Sequence, residues 1–221
     1  MGIKSDLKIV INSAMTIDGK ISSHCGDSNI SSSEDLKRLH RLRSQVDAIV
    51  VGINTVIADD PMLTIRLVNN KRKSPMRVIL DSYGKIPLDS NILKSSFNIR
   101  TIIVVTKNAT KDNIKKIKNS GASVLEVGSR SVNLQKLFNI LRNMGCKKIL
   151  VEGGGELNWS CLDNEIVSEL MVTISPKIIG GRNAITLVEG MGYEKISRGI
   201  KLRLMNVQRH KNGEVTLRYK I

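Results

Sequence analysis

The run Lys148-Ile149-Leu150-Val151 leads into Glu152-Gly153-Gly154-Gly155, and a helical Glu156-Leu157-Asn158-Trp159 follows. A buried strand that ends in a carboxylate and glycines and then turns into a helix can seat a phosphate or a dinucleotide. Glycines let ligand and backbone approach closely, and the free N–H groups of a first helical turn favour an anion. A plain strand-to-helix turn would use the same glycines. The spacing matches neither the Rossmann G-x-G-x-x-G nor the Walker lysine motif, so the junction points to a ligand without naming it.

Other residues add to this. Arg43 lies four residues after Leu39 and seven after Leu36, on the helix stripe that otherwise faces the core. A guanidinium there must snorkel, pair or meet an anion. Thr55 and Asp59, four apart after a strand ending at Gly52, share one face of a short helix, where a hydroxyl and a carboxylate can grip ribose or amide groups. A capped turn stopped by Pro61 explains Asp60-Pro61 but not that pair. Asp81-Ser82 ends another strand with Lys85 close behind, and Ser28 precedes the first helix; simple turns account for both equally well. Asp18-Gly19 is first of all a turn signal. There is no G-x-S-x-G elbow and no H-E-x-x-H, and His24, His40 and His210 lack metal spacing. Cys25, Cys146 and Cys161 form no C-x-x-C, so neither a disulfide framework nor a zinc site is expected. A nucleotide-type seat without a dedicated nucleophile or metal suits chemistry carried by a cofactor.

These residues need a scaffold. Strands are expected at Leu7–Ser13, Ala48–Gly52, Arg77–Asp81, Thr101–Thr106, Ser123–Val127, Lys148–Glu152 and Leu170–Ile174. Two more, Lys201–Val207 and Val215–Lys220, flank the turn-like His210-Lys211-Asn212-Gly213. A helix capped within Ser31 to Ser33 should run to about Gln45, with Leu36, Leu39, Leu42 and Val46 on its inner side. Another starts at Thr110 and stops at Gly121; a third carries Leu134, Leu137, Phe138 and Leu141 and stops at Gly145. Apolar strands alternating with such helices imply an α/β fold: a mainly parallel central sheet with helices on both faces, plus a C-terminal antiparallel hairpin. Residues 1–221 read as a single domain. Turns at Gly19, Gly52, Ser82, Gly128 and Gly153 fall at strand C-terminal ends, where open α/β sheets bind ligands.

Composition narrows the partners. With 41% apolar residues and no apolar run near the roughly 18–20 residues that span a bilayer, the sequence predicts a globular protein, not a membrane one. The start lacks a signal-peptide apolar region, so the expected location is cytoplasmic. The net charge of +15 attracts polyanions. However, Lys and Arg are spread along the chain with one brief cluster at Lys71-Arg72-Lys73, and aromatics for base stacking are only 3%. Anionic metabolites are therefore expected rather than nucleic acid.

Taken in order, Ser13-Ala14-Met15-Thr16-Ile17-Asp18-Gly19-Lys20-Ile21, Gly52-x-x-Thr55-x-x-x-Asp59-Asp60-Pro61-x-Leu63-Thr64, Asp81-Ser82, Glu152-Gly153-Gly154-Gly155-x-Leu157 and Pro176-Lys177-Ile178-x-Gly180-Gly181 run the length of the chain. This set resembles the riboflavin-biosynthesis reductases, and in particular their stand-alone archaeal branch, because no H-x-E…P-C-x-x-C deaminase segment is present. The resemblance implies a dihydrofolate-reductase-like fold and a homodimer. It also implies NAD(P)H-dependent reduction of the ribosylamino side chain of a phosphorylated pyrimidine, before deamination. By the same resemblance, Thr55, Asp59, Asp81, Ser82, Glu152 and Gly153 to Gly155 are expected at the cofactor, with Gly128 as a further candidate. Ser28, Arg43, Leu63, Arg66 and Glu152 are expected at the substrate, Arg43 and Arg66 facing its 5′-phosphate. Glu152 would orient polar groups of the substrate, with Asp18 a second candidate for that task. NADPH suits a basic cleft, Lys85 and Arg130 being candidates for its 2′-phosphate, and NADH stays open. Ile30 stands where bacterial relatives place a tryptophan against the cofactor. Two other readings remain at this stage: a dihydrofolate or pterin reductase on the same fold, and a basic nucleic-acid-binding module.

Overall fold

A computed structural model describes residues 6–69 and 74–221. The Lys71-Arg72-Lys73 cluster and the first five residues lie outside them. Nine strands form one sheet in the order β5-β4-β3-β2-β6-β1-β7-β9-β8. In chain order the elements are β1 (Lys8–Thr16), α1 (Ser33–Arg43), β2 (Ala48–Gly52), α2 (Ile53–Asp59), β3 (Met76–Leu80), α3 (Asn91–Lys94), β4 (Thr101–Val105) and α4 (Lys111–Asn119). They continue with β5 (Ser123–Glu126), α5 (Leu134–Asn143), β6 (Lys148–Val151), α6 (Gly155–Asp163), β7 (Glu169–Ser175), β8 (Arg203–Arg209) and β9 (Val215–Lys220).

A helix separates each strand from the next as far as β7, so β1 to β7 all run parallel. The C-terminal pair is antiparallel: β9 pairs with β7 and β8 with β9. Alternate residues of each strand enter opposite cores. Ile9, Ile11, Val78 and Val104 pack with Phe138 and Leu141 of α5 and Leu157 and Cys161 of α6. Val10, Ile79, Ile103 and Val105 pack with Val56 of α2, Ile92 of α3, Ile117 of α4 and the α1 leucines Leu39 and Leu42. The period-2 alternation with apolar residues at both phases is what covering both faces requires. The expected α/β architecture is thus the observed one.

The helix starts follow side-chain capping: Ser32, Thr110 and Asn133 each accept from a backbone N–H three residues on. Three expectations need correction. First, β1 runs on to Thr16, because Ser13 to Thr16 find ladder partners in Val172 to Ser175 of β7. Second, α1 buries Asp35, His40 and Arg43, while Leu36 is exposed. Leu39, Leu42 and Val46 do face the core, but beside them the helix sets Asp35 over polar groups of the sheet, with Thr173 donating to it at 2.8 Å, so its inner side is mixed rather than purely aliphatic. Third, β8 starts at Arg203, two residues later than expected, and the short α3 is an addition.

Arg77 in β3 is fully buried. Its guanidinium donates to Thr101 Oγ1 (2.7 and 3.0 Å), Ser95 Oγ (2.7 Å), the Ile92 carbonyl (2.9 Å) and the Met62 carbonyl (3.3 Å). Burial pulls its pKa down to about 10, which still leaves it charged at neutral pH. The cage fixes the loop at Met62 against α3 and β4. Arg77→Ala strands these acceptors, and is expected to cost roughly 3 kcal/mol in urea unfolding.

Candidate active site

The C-terminal ends of β1, β2, β3 and β6 open into one cavity of about 1210 Å³. Asn12 to Ala14 line it from β1, and Asp35, Leu39 and Arg43 from α1, four residues apart on one helix face. Gly52 to Thr55, Asp59 and Leu63 form the next wall, Ser82 and Gly128 another, and Glu152 with Gly154 to Glu156 the last.

Arg43 and Glu152 are the centre of its charge. Arg43 Nε and Nη2 donate to the two Glu152 oxygens at 2.8 and 2.6 Å, and Nη1 donates to the Thr64 carbonyl at 3.0 Å. Both side chains are nearly buried, at 7% and 9% exposure, so the pair is a desolvated fork-on-fork contact. One turn earlier on α1, His40 Nδ1 accepts from the backbone N–H of Arg66 (2.9 Å) and Leu67 (3.4 Å). Burial lowers the His40 pKa from 6.5 to about 4, helped by the positive charges of Arg43 and then Arg66 and opposed by Glu152.

At the glycine junction, the Gly154 N–H donates to Thr55 Oγ1 at 3.1 Å and the Gly52 N–H to the Gly153 carbonyl at 3.1 Å. These bonds lock the end of β2 to the start of α6, where Gly154 and Gly155 line the cavity and a Cβ on Gly155 would meet Glu189 and the Thr186 carbonyl. Ser28 Oγ donates to Asp59 Oδ1 at 2.8 Å, closing the rim across α2. Asp60 caps α2 at φ 38°, and Leu63 takes φ 50°, a left-handed conformation uncommon for a branched residue. Such strain is tolerated where the surroundings over-determine it, and Leu63 is buried in the cavity wall. Gly128 sits at φ 102°, where a Cβ would run into the Ser131 carbonyl.

Of the residues singled out by sequence, the cavity gathers Ser28, Arg43, Thr55, Asp59, Leu63, Ser82, Gly128, Glu152, Gly154 and Gly155. Several others are placed elsewhere. Asp18 is exposed and accepts from the N–H groups of Gly180 (2.8 Å) and Ile179 (3.3 Å), pinning the segment after β7. The Thr16 hydroxyl, with those two N–H groups, holds its carboxyl below the usual range. Asp81 is buried and accepts from the Ile86 N–H at 2.7 Å, shaping the turn that presents Ser82. Gly153 lies beneath the lining, with its carbonyl on Gly52. Arg66 is exposed at the edge of the loop that His40 holds. Lys85 lies 4.9 Å above the Tyr83 ring, and Ile30 is buried. Arg43 does not present an open fork, since Glu152 and Thr64 occupy it.

Sequence reasoning passed over Asn12, Ser22 and Asp35. Asn12 Oδ1 and Ser22 Oγ are buried in the cavity wall without a hydrogen-bond partner among the described residues. The signal for Asn12 was available: an amide inside a strand otherwise buried and aliphatic.

Comparison with known proteins decides the family. The model of the RibD C-terminal domain matches residues 7–216. The chain belongs to the RibD C-terminal domain family. It is 41% identical over 197 residues to the 2,5-diamino-6-ribosylamino-4(3H)-pyrimidinone 5′-phosphate reductase of Methanothermobacter thermautotrophicus, covering 89% of this chain and 90% of that one. It is 35% identical over 221 residues to the protein of the same name from Archaeoglobus fulgidus, covering 96% and 97%. Against the riboflavin biosynthesis protein RibD of Actinobacillus pleuropneumoniae it is 35% identical, over 90% of this chain but 53% of that protein. Acinetobacter baumannii RibD superposes with a TM-score of 0.84 at 22% identity over 98% of this chain and 58% of the other. The Saccharomyces riboflavin biosynthesis reductase Rib7 gives 0.73 at 23%, over 97% and 89%. At those identities the structures speak for the fold.

A RibD-type reductase implies a nicotinamide cofactor, and this cavity fits one. It offers the glycine-led N-terminus of α6, a hydroxyl–carboxylate pair on α2, and Asn12 and Ser22 oxygens that lack a partner among the described residues and call for a polar ligand.

The buried His40 gives this RibD-type site a pH signature. In the unfolded chain its imidazole binds a proton below about pH 6.5, whereas in the folded chain it does so only near 4. Its stabilising contribution is full above 6.5 and is lost as pH falls towards 4, by roughly 3 kcal/mol in all. Urea midpoints measured across that window are expected to fall more steeply in the wild type than in His40→Asn.

Proposed function

We propose that this protein is a cytoplasmic NADPH-dependent oxidoreductase, with residues 1–221 acting as one reductase domain. It reduces the ribosylamino side chain of 2,5-diamino-6-ribosylamino-4(3H)-pyrimidinone 5′-phosphate to the ribitylamino form in riboflavin biosynthesis. The observation that carries the reading is 41% identity across nine tenths of both chains to a reductase of that name. The gathering of most of the substrate- and cofactor-matched residues around one cavity supports it.

A reduced nicotinamide would supply the hydride taken up at C1′ once the ribosylamino group has opened to an imine, the nitrogen taking its proton from water. The chain's own contribution is placement. The backbone N–H groups at the start of α6 receive the cofactor's pyrophosphate, and Thr55 ties that loop to α2. Arg43 holds both Glu152 oxygens in one orientation, so the carboxylate meets the substrate's polar groups without searching rotamers. Leu63 and Leu39 supply apolar wall against the pyrimidine and exclude water. Arg66 meets the 5′-phosphate from the loop beside α1. NADPH is favoured over NADH by Lys85 and Arg130, which follow Ser82 and Gly128 closely in the chain.

The homodimer belongs to the same reading. β8 is an edge strand, and Leu204, Met205 and Val207 on it are about half exposed, at 50%, 51% and 48%. An apolar edge left open invites a second chain.

Purified protein mixed with NADPH and the diaminopyrimidine ribosylamino phosphate is expected to lose absorbance at the reduced-nicotinamide band, with no loss when dihydrofolate replaces the substrate. Turnover of dihydrofolate alone would transfer the assignment to a pterin reductase. Glu152→Gln should lower kcat by roughly a hundredfold, and Arg66→Ala should raise KM by about tenfold or more. Near-normal kinetics in both would remove those roles. Light scattering is expected to give twice the chain mass, reduced to one by Leu204→Lys combined with Val207→Lys.

A further inference from the structure

We infer that His40 is the positioning residue of the phosphate grip: its neutral imidazole fixes the backbone at Arg66 and so aims that guanidinium at the substrate's 5′-phosphate. This rests on the reading of Arg66 given above.

The segment 61–69 has no regular secondary structure, so no ladder of backbone bonds holds it. Side chains from the last turns of α1 hold it instead. Arg43 takes the Thr64 carbonyl at 3.0 Å, and His40 Nδ1 takes the N–H groups of Arg66 and Leu67 at 2.9 and 3.4 Å. Two residues three apart on one helix face thus fix three backbone polar groups of the loop, on Thr64, Arg66 and Leu67. The imidazole is only 1% exposed, so it is held in one orientation. A ring nitrogen that accepts from two N–H groups carries no proton, which puts the ring proton on Nε2. Burial and the neighbouring guanidiniums keep it in that state.

The choice of residue has a physical logic. A carboxylate at position 40 would also accept from both N–H groups. It would then attract the Arg66 and Arg43 guanidiniums and consume charge that a phosphate dianion needs. A neutral acceptor anchors the backbone and leaves the Arg66 cation unspent. Arg66 itself is exposed. A long side chain on an unanchored loop pays ordering entropy on binding, and a fixed backbone removes part of that cost.

The test compares the substrate with its dephosphorylated form, and measures ribose 5-phosphate binding by calorimetry, in His40→Leu, His40→Asn and Arg66→Ala. The amide oxygen of His40→Asn stands close to where Nδ1 was. In His40→Leu, KM for the phosphorylated substrate is expected to rise roughly tenfold with kcat within about twofold, as for one charge-assisted contact partly lost. KM for the dephosphorylated form should not change, and ribose 5-phosphate binding should weaken in parallel. His40→Asn is expected to restore most of both. If Arg66→Ala removes the preference for phosphate while folded His40→Leu keeps it, the positioning role is wrong and the Arg66 reading stands. If Arg66→Ala keeps the preference, both fall. Should His40→Leu not fold, His40→Gln, which misplaces the acceptor by a bond, is expected to show the same selective KM defect; a wild-type ratio there overturns the role.

Discussion

The ion pair between Arg43 and Glu152 is the contact on which the rest of the site depends. It joins residues 109 apart in sequence, the last turn of α1 and the end of β6, with side chains nearly out of water. Burying two charges costs several kcal/mol, and the Coulomb attraction offsets it only with good geometry and further hydrogen bonds. Both conditions are met: the fork is bidentate, and the third nitrogen takes the Thr64 carbonyl. An aliphatic pair would fill the same space at no desolvation cost. What it could not do is hold a carboxylate in one orientation at the cavity wall while fastening the neighbouring loop.

The sheet makes this contact possible. β6 lies between β2 and β1, so the glycine junction after β6 emerges beside Gly52 on one side and the Asn12–Ala14 stretch on the other. Strands that run parallel deliver their C-terminal loops to the same edge, and a cavity walled by four such loops follows from the topology. Arg77, caged on the far side of the 60–64 loop, anchors the backbone from beneath, as Arg43 and His40 anchor it from α1. The left-handed φ of Leu63 is held between these grips.

Much of this was legible in the sequence, for identifiable reasons. Apolar strands broken by capped helices left few alternatives to a parallel sheet with both faces covered. Glycine clusters at strand ends marked the loops. The inner face of α1 was not legible in the same way. Periodicity ranks residues by hydrophobicity, so it chose Leu36, which is exposed, over Asp35, which is buried and takes bonds from Ser31 (2.7 Å), Arg38 (2.8 Å) and Thr173 (2.8 Å). A buried polar helix face can be recognised only when its partners are known, and Thr173, which ties Asp35 to the sheet, is 138 residues away. The same limit applies to Asp18 and Asp81: a carboxylate after a strand reads as a ligand group, yet here each caps a backbone turn. Helix spacing picked out the Thr55 and Asp59 pair, and family resemblance added Leu63; all three line the cavity.

Net charge shows why a total is a poor guide to a site. The excess of +15 suggested an appetite for polyanions. Inside the fold, Arg43 is matched by Glu152, Arg38 by Asp35 at 2.8 Å, and Arg77 is dispersed over hydroxyls and carbonyls. These cations build the protein rather than greet a ligand, their N–H groups being largely taken up by protein acceptors. On the proposed reading, affinity for a phosphate comes from the N–H groups at the start of α6 and from the exposed Arg66 guanidinium. A site of this kind discriminates by where a few dipoles and one or two charges are held. On that reading, the neutral anchor behind Arg66 carries more weight than surface lysines elsewhere.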